Sequence, residues 1–309
     1  MKSLGRIIKV LLLVLISSRI NVLWSQQDPM FTQYMFNMMS INPAYAGSLE
    51  ATNFQALYRL QWLGVEGAPR TLTLSAHAPI SDMNMGWGVT LYNDRIGPLN
   101  LSMINGNYAY QLILNSATLA LGIKAGIGMY SAELSSLDPR NPDHTLVDFK
   151  RRVLPNVGVG IFYFNDTYYL GLSVPKLIKN HLLVDNMNFG DVKRHYFLAG
   201  GYVWNIGRYR NHALKTSFML RGTEGAPLSF DLSGVFYFNE KLGLGLTYRH
   251  KAALTGILQY YITPKFYIGF SYDYATTRLR YVNSGTYEFL LSYDIQNNRT
   301  IRIYHPRFF

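Results

Sequence analysis

From residue 50 onward the chain alternates. Apolar positions and small or polar ones change places at every step over segments of about ten residues, and turn-forming residues separate the segments. This period of two is that of extended strands, whose successive side chains point to opposite faces. In 265–275 one face carries Phe266, Ile268, Phe270, Tyr272 and Tyr274, and the other Tyr267, Gly269, Ser271, Asp273 and Ala275. The next segment sets Tyr287, Phe289, Leu291, Tyr293 and Ile295 against Thr286, Glu288, Ser292 and Asp294. Leu242, Leu244, Leu246 and Tyr248 alternate with Gly243, Gly245, Thr247 and Arg249, as Leu119, Leu121, Ile123 and Ile127 do with Ala120, Gly122, Lys124 and Gly126. A soluble sandwich also alternates, but its polar face is rich in charge. Here that face is small and glycine-laden, which fits the lumen wall of a membrane barrel whose apolar face meets lipid.

The turn residues divide the alternating region into fourteen strands, at 50–61, 69–79, 84–93, 100–111, 116–130, 154–164, 167–175, 193–205, 211–222, 226–238, 241–250, 254–263, 265–275 and 284–296. The expected fold is therefore all-β, a transmembrane antiparallel barrel of about fourteen strands. An even count closes a barrel with both ends on the periplasmic side, and the connections after even-numbered strands are then the short ones. Asn165-Asp166, Asn239-Glu240 and Thr263-Pro264 mark three tight turns of that set. The two long connections, 131–153 and 176–192, both follow odd strands and fall outside the cell.

One stretch does not alternate. Residues 26–48 read QQDPMFTQYMFNMMSINPAYAGS, nearly uncharged and rich in Met, Phe and Tyr. Asp28 before Pro29 is a helix start, with a capping carboxylate and a proline where no donor is needed. About ten helical residues are expected to follow. Asn42-Pro43 repeats the start, and Gly47 stops it after a single turn. The chain thus opens with a short helical plug segment over 26–49 ahead of the barrel at 50–309. Gln27-Asp28-Pro29, Phe31, Gln33-Tyr34 and Asn42-Pro43-Ala44-Tyr45-Ala46-Gly47 resemble the N-terminal signature of the PorP/SprF family of outer-membrane proteins. The Gly285-Thr286-Tyr287-Glu288 strand and the closing Pro306-Arg307-Phe308-Phe309 resemble it too, while Met38-Met39-Ser40 is richer in methionine than that pattern.

Composition narrows the class. Residues 1–25 read as a signal peptide, with Lys2, Arg6 and Lys9 before the apolar run Val10 to Ile16, so export is expected. No run of about 18 apolar residues follows, which argues against a spanning helix. Zero cysteines exclude disulfides and a lipidated cysteine anchor. Formal charge is +11, of which the first 25 residues carry four positives and no acid, leaving +7. No basic cluster with interleaved aromatics accompanies it, so nucleic acid is not an expected partner. Charged residues make up 15% against an ordinary quarter, while there are 24 tyrosines and 17 phenylalanines, the material of lipid-facing aromatic girdles.

Candidate chemistry is sparse. His77 shares an inward face with Thr71, Thr73 and Ser75, but a nucleophilic site also needs convergence with an orienting group, and a hydrogen-bonded lumen histidine is the simpler expectation. Asp138, Asp143 and Asp148 could offer oxygens to calcium, yet the fixed spacing and glycine of a calcium loop are missing. His181, His195, His212, His250 and His305 show no ligand spacing, so no metal and no cofactor is expected. The stronger signal is charge on the lumen face: Lys124, Lys215, Arg221 and Arg249 with Asp231, Asp273, Glu288 and Asp294. Charge at membrane depth is costly, so mixed signs imply a wet pore, mutual salt bridges, or a grip on the plug.

The resemblance implies a non-enzymatic role in type IX secretion or gliding motility. A barrel of this family receives or anchors a secreted surface adhesin through that adhesin's type IX C-terminal domain, with periplasmic cell-wall-linked or secretion-system components as further partners and outer-membrane lipid around it. The alternative is a transport pore for small or hydrophobic solutes. A barrel this size can enclose a channel, and only a filled lumen separates the two.

Overall fold

A computed structural model describes residues 30–49, 51–80, 83–137, 148–184, 187–206 and 212–296. The proposed signal peptide, Gln27-Asp28-Pro29, Asp138, Asp143, His305 and the 306–309 end lie outside these residues. The strands are β1 (Ala51–Leu60), β2 (Arg70–Ile80), β3 (Met85–Ile96), β4 (Leu99–Ile113), β5 (Thr118–Ala132), β6 (Phe149–Phe164), β7 (Tyr168–Val174), β8 (Asn180–Val184), β9 (Met187–Val192), β10 (His195–Ile206), β11 (His212–Thr223), β12 (Ser229–Phe238), β13 (Leu242–Arg249), β14 (Ala253–Thr263), β15 (Phe266–Ala275) and β16 (Thr286–Gln296). Fourteen of them form one closed antiparallel barrel, each paired with its sequence neighbours, and β1 closes on β16 with Ala51 opposite Gln296. The fourteen barrel strands match the segments expected from alternation to within a few residues. The remaining two, β8 and β9, make a separate hairpin on the connection between β7 and β10, where the sequence suggested only a loop.

The rim that holds Ala51 and Gln296 is called near, and the opposite one far. At the near rim Asn239 and Glu240 both have positive φ, +47° and +59°, and the Lys241 N–H closes the turn on the Phe238 carbonyl at 3.0 Å. Two positive φ values are what a two-residue type I′ hairpin requires. Asn165 Oδ1 accepts the Thr167 and Tyr168 N–H groups, and Thr263 Oγ1 accepts that of Phe266, so the other two short turns are closed by side chains.

The apolar face points outward. Leu121, Ile123, Leu244, Leu246, Phe289, Leu291 and Ile295 are exposed, while Gly122, Lys124, Thr247, Arg249, Glu288 and Ser292 on the alternate positions are buried. Two belts of exposed aromatics frame this surface: Trp204, Phe238, Tyr260 and Tyr293 toward the near rim, and Tyr58, Tyr196, Tyr248 and Tyr274 toward the far one. Aromatic rings at those two levels sit where lipid headgroups meet hydrocarbon.

The barrel interior is packed. Its main apolar cluster joins Tyr34, Met35, Met38, Met39, Ala44 and Tyr45 to wall residues such as Phe162, Tyr169, Met219 and Tyr237. The ten-residue helix expected after Pro29 does not form. Within the described residues only Met38–Ile41 is α-helical, followed by a single 3-10 turn at Pro43–Tyr45. The reason is competition for the backbone. Lys215 takes the Met35 carbonyl, Gln55 that of Phe36, Lys124 that of Ser40 and Ser173 that of Ile41. Wall side chains therefore bond carbonyls along the segment, and its fold follows the lumen rather than helical periodicity. The second start is as expected: Asn42 Oδ1 accepts the Ala44 N–H at 3.0 Å, Pro43 opens the turn, and Gly47 takes φ +70°.

Candidate functional site: a lumen plug and the charges that hold it

The described part of the plug starts in the far half of the lumen and descends to the near rim, where Leu49 precedes β1. Thr32 and Gln33 present their N–H groups to the two oxygens of Glu288, at 2.7 and 2.9 Å. The Thr32 hydroxyl donates to Asp273 at 2.8 Å. Both carboxylates are buried, and each is held by Arg59, which bonds Glu288 and lies 3.2 Å from Asp273. Arg249 lies 3.1 Å from Asp231 and 3.8 Å from Asp273, and Arg221 stands 3.6 Å from Asp231. Three guanidinium groups and three carboxylates thus form one neutral layer across the far half of the lumen. Buried charge is tolerated only when paired and hydrogen-bonded, and here the plug supplies part of that bonding.

Below this layer the plug is held at separate points. Lys215 Nζ reaches the Met35 carbonyl at 3.2 Å and lies 4.4 Å above the Phe36 ring. Lys124 Nζ reaches the Ser40 carbonyl at 3.0 Å, and Gln111 the Gly47 carbonyl at 2.9 Å. Asn42 Nδ2 donates to the Ile161 carbonyl at 3.0 Å. Phe31 packs on Leu57 and Leu290, and Tyr34, Met35, Met38, Met39 and Tyr45 are all at most 4% exposed. Each apolar side chain buried this way contributes about 1.5–3 kcal/mol.

Glycines on the wall make the seat. A Cβ on Gly122 of β5 would overlap the backbone of Ala44, one on Gly86 of β3 the backbone of Ala46, and one on Gly160 of β6 the Asn42 side chain. The Asn42–Gly47 turn touches bare strand backbone at all three points. The small residues that marked these faces as lumen are therefore the contact surface of the plug.

The lumen charges separate into three groups. Arg221, Arg249, Asp231, Asp273 and Glu288 meet in the far layer, while Lys124 and Lys215 each hold a plug carbonyl lower down. Asp294 lies apart toward the near rim, half-buried, with Asn53 donating to Oδ1 at 2.7 Å. Arg59, the hub of the layer, was missing from the expected set, although Asn53, Gln55, Leu57 and Arg59 alternate inward along β1 and carried the signal. Asp94, bonded by Thr71 at 2.7 Å, was missed likewise. His77 is buried; its Nδ1 accepts the Gly47 N–H at 3.3 Å and the Tyr45 ring packs edge-on against it at 5.2 Å. Asp148 accepts both the N–H and the hydroxyl of Ser135 at 2.8 Å.

A closed fourteen-stranded barrel with an apolar exterior, two aromatic belts and a lumen occupied by its own N-terminal segment is an outer-membrane protein. The chain belongs to the type IX secretion system membrane protein PorP/SprF family, whose profile matches residues 24–293. No curated protein matches it. Solved structures similar in fold include a TodX mutant monoaromatic hydrocarbon channel, at TM-score 0.50 and 9% identity, covering 87% of this chain and 95% of that one. The CymD monoaromatic hydrocarbon channel aligns at TM-score 0.46 and 10% identity over 89% and 96% of the two chains. Omp33 of Acinetobacter baumannii aligns at 0.45 and 11% over 79% and 98%. Identities this low speak to the barrel fold alone. Family and fold are those of membrane barrels, not of enzymes.

Proposed function

We propose that this barrel is a non-enzymatic anchor of the type IX secretion apparatus, receiving a secreted surface adhesin through the adhesin's C-terminal domain. The observation that carries the reading is the filled lumen. A solute pore needs a continuous wet path, and here the plug occupies the space such a path would use, with its backbone bonded to the wall at many points. A paired, neutral charge layer likewise suits a structural closure better than an ion path, which takes a ring of one sign.

The far rim supplies a receiving surface. The connection 61–69 and the connection 276–285 are joined by two backbone bonds, Leu63 N–H to Gly285 O at 2.9 Å and Ser284 N–H to Leu63 O at 2.7 Å. On this joined platform Leu63, Val65, Tyr281 and Val282 are exposed, Tyr281 at 73% and Val282 at 64%. Apolar side chains on loops beyond the lipid belt favour contact with another protein. The platform lies on different connections from the two long ones that sequence length singled out. The near rim then faces the periplasm, where cell-wall-linked or secretion-system components are the natural contacts.

The test is to tag the protein, solubilise it from membranes in mild detergent, and identify what is recovered with it by mass spectrometry. Recovery of a large secreted protein, lost when its C-terminal domain is deleted, supports the anchor. Recovery of the barrel alone, together with steady ion conductance in planar bilayers, overturns the anchor and leaves a pore.

A further inference from the structure

Asp231, Asp273 and Glu288 each face an arginine, but Asp294 does not: among the described residues Asn53 is its hydrogen-bonding partner and no cation pairs with it. It lines a cavity of about 360 Å³ at the near rim, between the plug and the wall formed by β14, β15, β16, β1 and β2. Three tyrosines, Tyr45, Tyr261 and Tyr267, share that lining, and the rings of Tyr261 and Tyr267 lie 4.9 Å apart, tilted 33°. At the mouth Glu240 and Lys241 also line it and offset one another, so the uncompensated charge inside is the Asp294 carboxylate.

A carboxylate set in the wall of an aromatic-lined cup is the arrangement that recognises an organic cation, the rings through their negative faces and the carboxylate directly. The chain uses half of this chemistry one step deeper, where Lys215 Nζ stands 4.4 Å over the Phe36 ring. The cup opens at the rim where the strands end and is sized for a side chain rather than a folded domain. We propose that it is a receptor site for a guanidinium or ammonium group presented on a polypeptide at the near rim. Two polypeptides can present one. The residues after β16, 297–309, carry Arg299, Arg302 and Arg307 and no acid. A separate protein with an exposed basic side chain is the other source. The site is at the opposite mouth from the adhesin platform, so its success or failure is independent of the anchor reading.

The experiment measures equilibrium binding of argininamide, and of citrullinamide as its neutral counterpart, to the full-length protein in detergent. Two proteins are compared: the native chain and a triple variant with Arg299→Gln, Arg302→Gln and Arg307→Gln. Saturable argininamide binding to the native chain, at least tenfold over citrullinamide, is expected if the cup awaits a partner. Binding that appears only in the triple variant identifies the chain's own tail as occupant. In either case Asp294→Asn lowers argininamide affinity tenfold or more. Tyr261→Leu, expected to weaken it several-fold, serves as second reading if the Asp294 variant fails to show the heat-modifiable gel migration of a folded barrel. Absence of saturable argininamide binding in both proteins, equal binding of citrullinamide, or indifference to Asp294→Asn overturns the proposal.

Discussion

Replacing Glu288 with alanine tests whether the far charge layer holds the plug in the lumen. The native carboxylate accepts two plug N–H groups, Thr32 at 2.7 Å and Gln33 at 2.9 Å, and pairs with Arg59. Arg59 keeps a second partner in Asp273 at 3.2 Å, so the barrel itself retains a paired cation after the change. What the plug loses is two hydrogen bonds to a charged acceptor, about 1.5–3 kcal/mol each, or about 3–6 kcal/mol together. At about 1.4 kcal/mol per factor of ten, the undocked population rises by at least about a hundredfold. The chain contains no cysteine, so Met38→Cys, buried at 1% in the docked plug, provides a single reporter thiol. Its labelling rate with a bulky, charged maleimide should rise by that factor when Glu288→Ala is added, and planar bilayers should show channel openings absent from the parent. A labelling rate within about threefold of the parent, in protein that still migrates as a folded barrel, refutes the view that Glu288 anchors the plug.

Gly122→Leu places a side chain where Ala44 now sits and should expose the Met38→Cys reporter while leaving barrel migration unchanged; continued protection would show that the turn has another seat. Asn42→Ala removes the cap on the Ala44 N–H and the bond to the Ile161 carbonyl, a loss of about 1–2 kcal/mol, so the same labelling assay should read about a tenfold increase. At the far rim, Lys179 bonds Glu224 at 2.6 Å and holds its carboxyl below the usual carboxylate range. The sign follows from that depression: the pair's contribution is present above the usual range and is lost as pH falls through the lowered value. Protease cleavage within the neighbouring β8–β9 connection should therefore quicken at acid pH and in high salt, and Glu224→Gln should show the fast rate at neutral pH; identical digestion of native and variant protein would exclude the pair as the fastening.

Sequence alone carried the barrel wall. In lipid a closed sheet must turn apolar side chains outward at every second position, so Leu244, Leu246, Phe289 and Leu291 declared their face, and with them Gly243, Thr247, Glu288 and Ser292 theirs. Strand number and the tight turns at Asn165, Asn239 and Thr263 followed from local chemistry, because a two-residue hairpin is decided by the residues in it. The capped turn at Asn42-Pro43 was local for the same reason. What lies inside the barrel is decided by contacts between the plug and strands distant from it in the chain, and no period records those. Thr32 meets Glu288, Met35 meets Lys215, and Gly122 is bare so that Ala44 can touch it. The tertiary structure alone therefore set the shape of the plug, since lumen side chains bond the carbonyls along it. It alone made Arg59 the hub of the charge layer, and it left Asp294 apart from the arginines that pair with Asp231, Asp273 and Glu288.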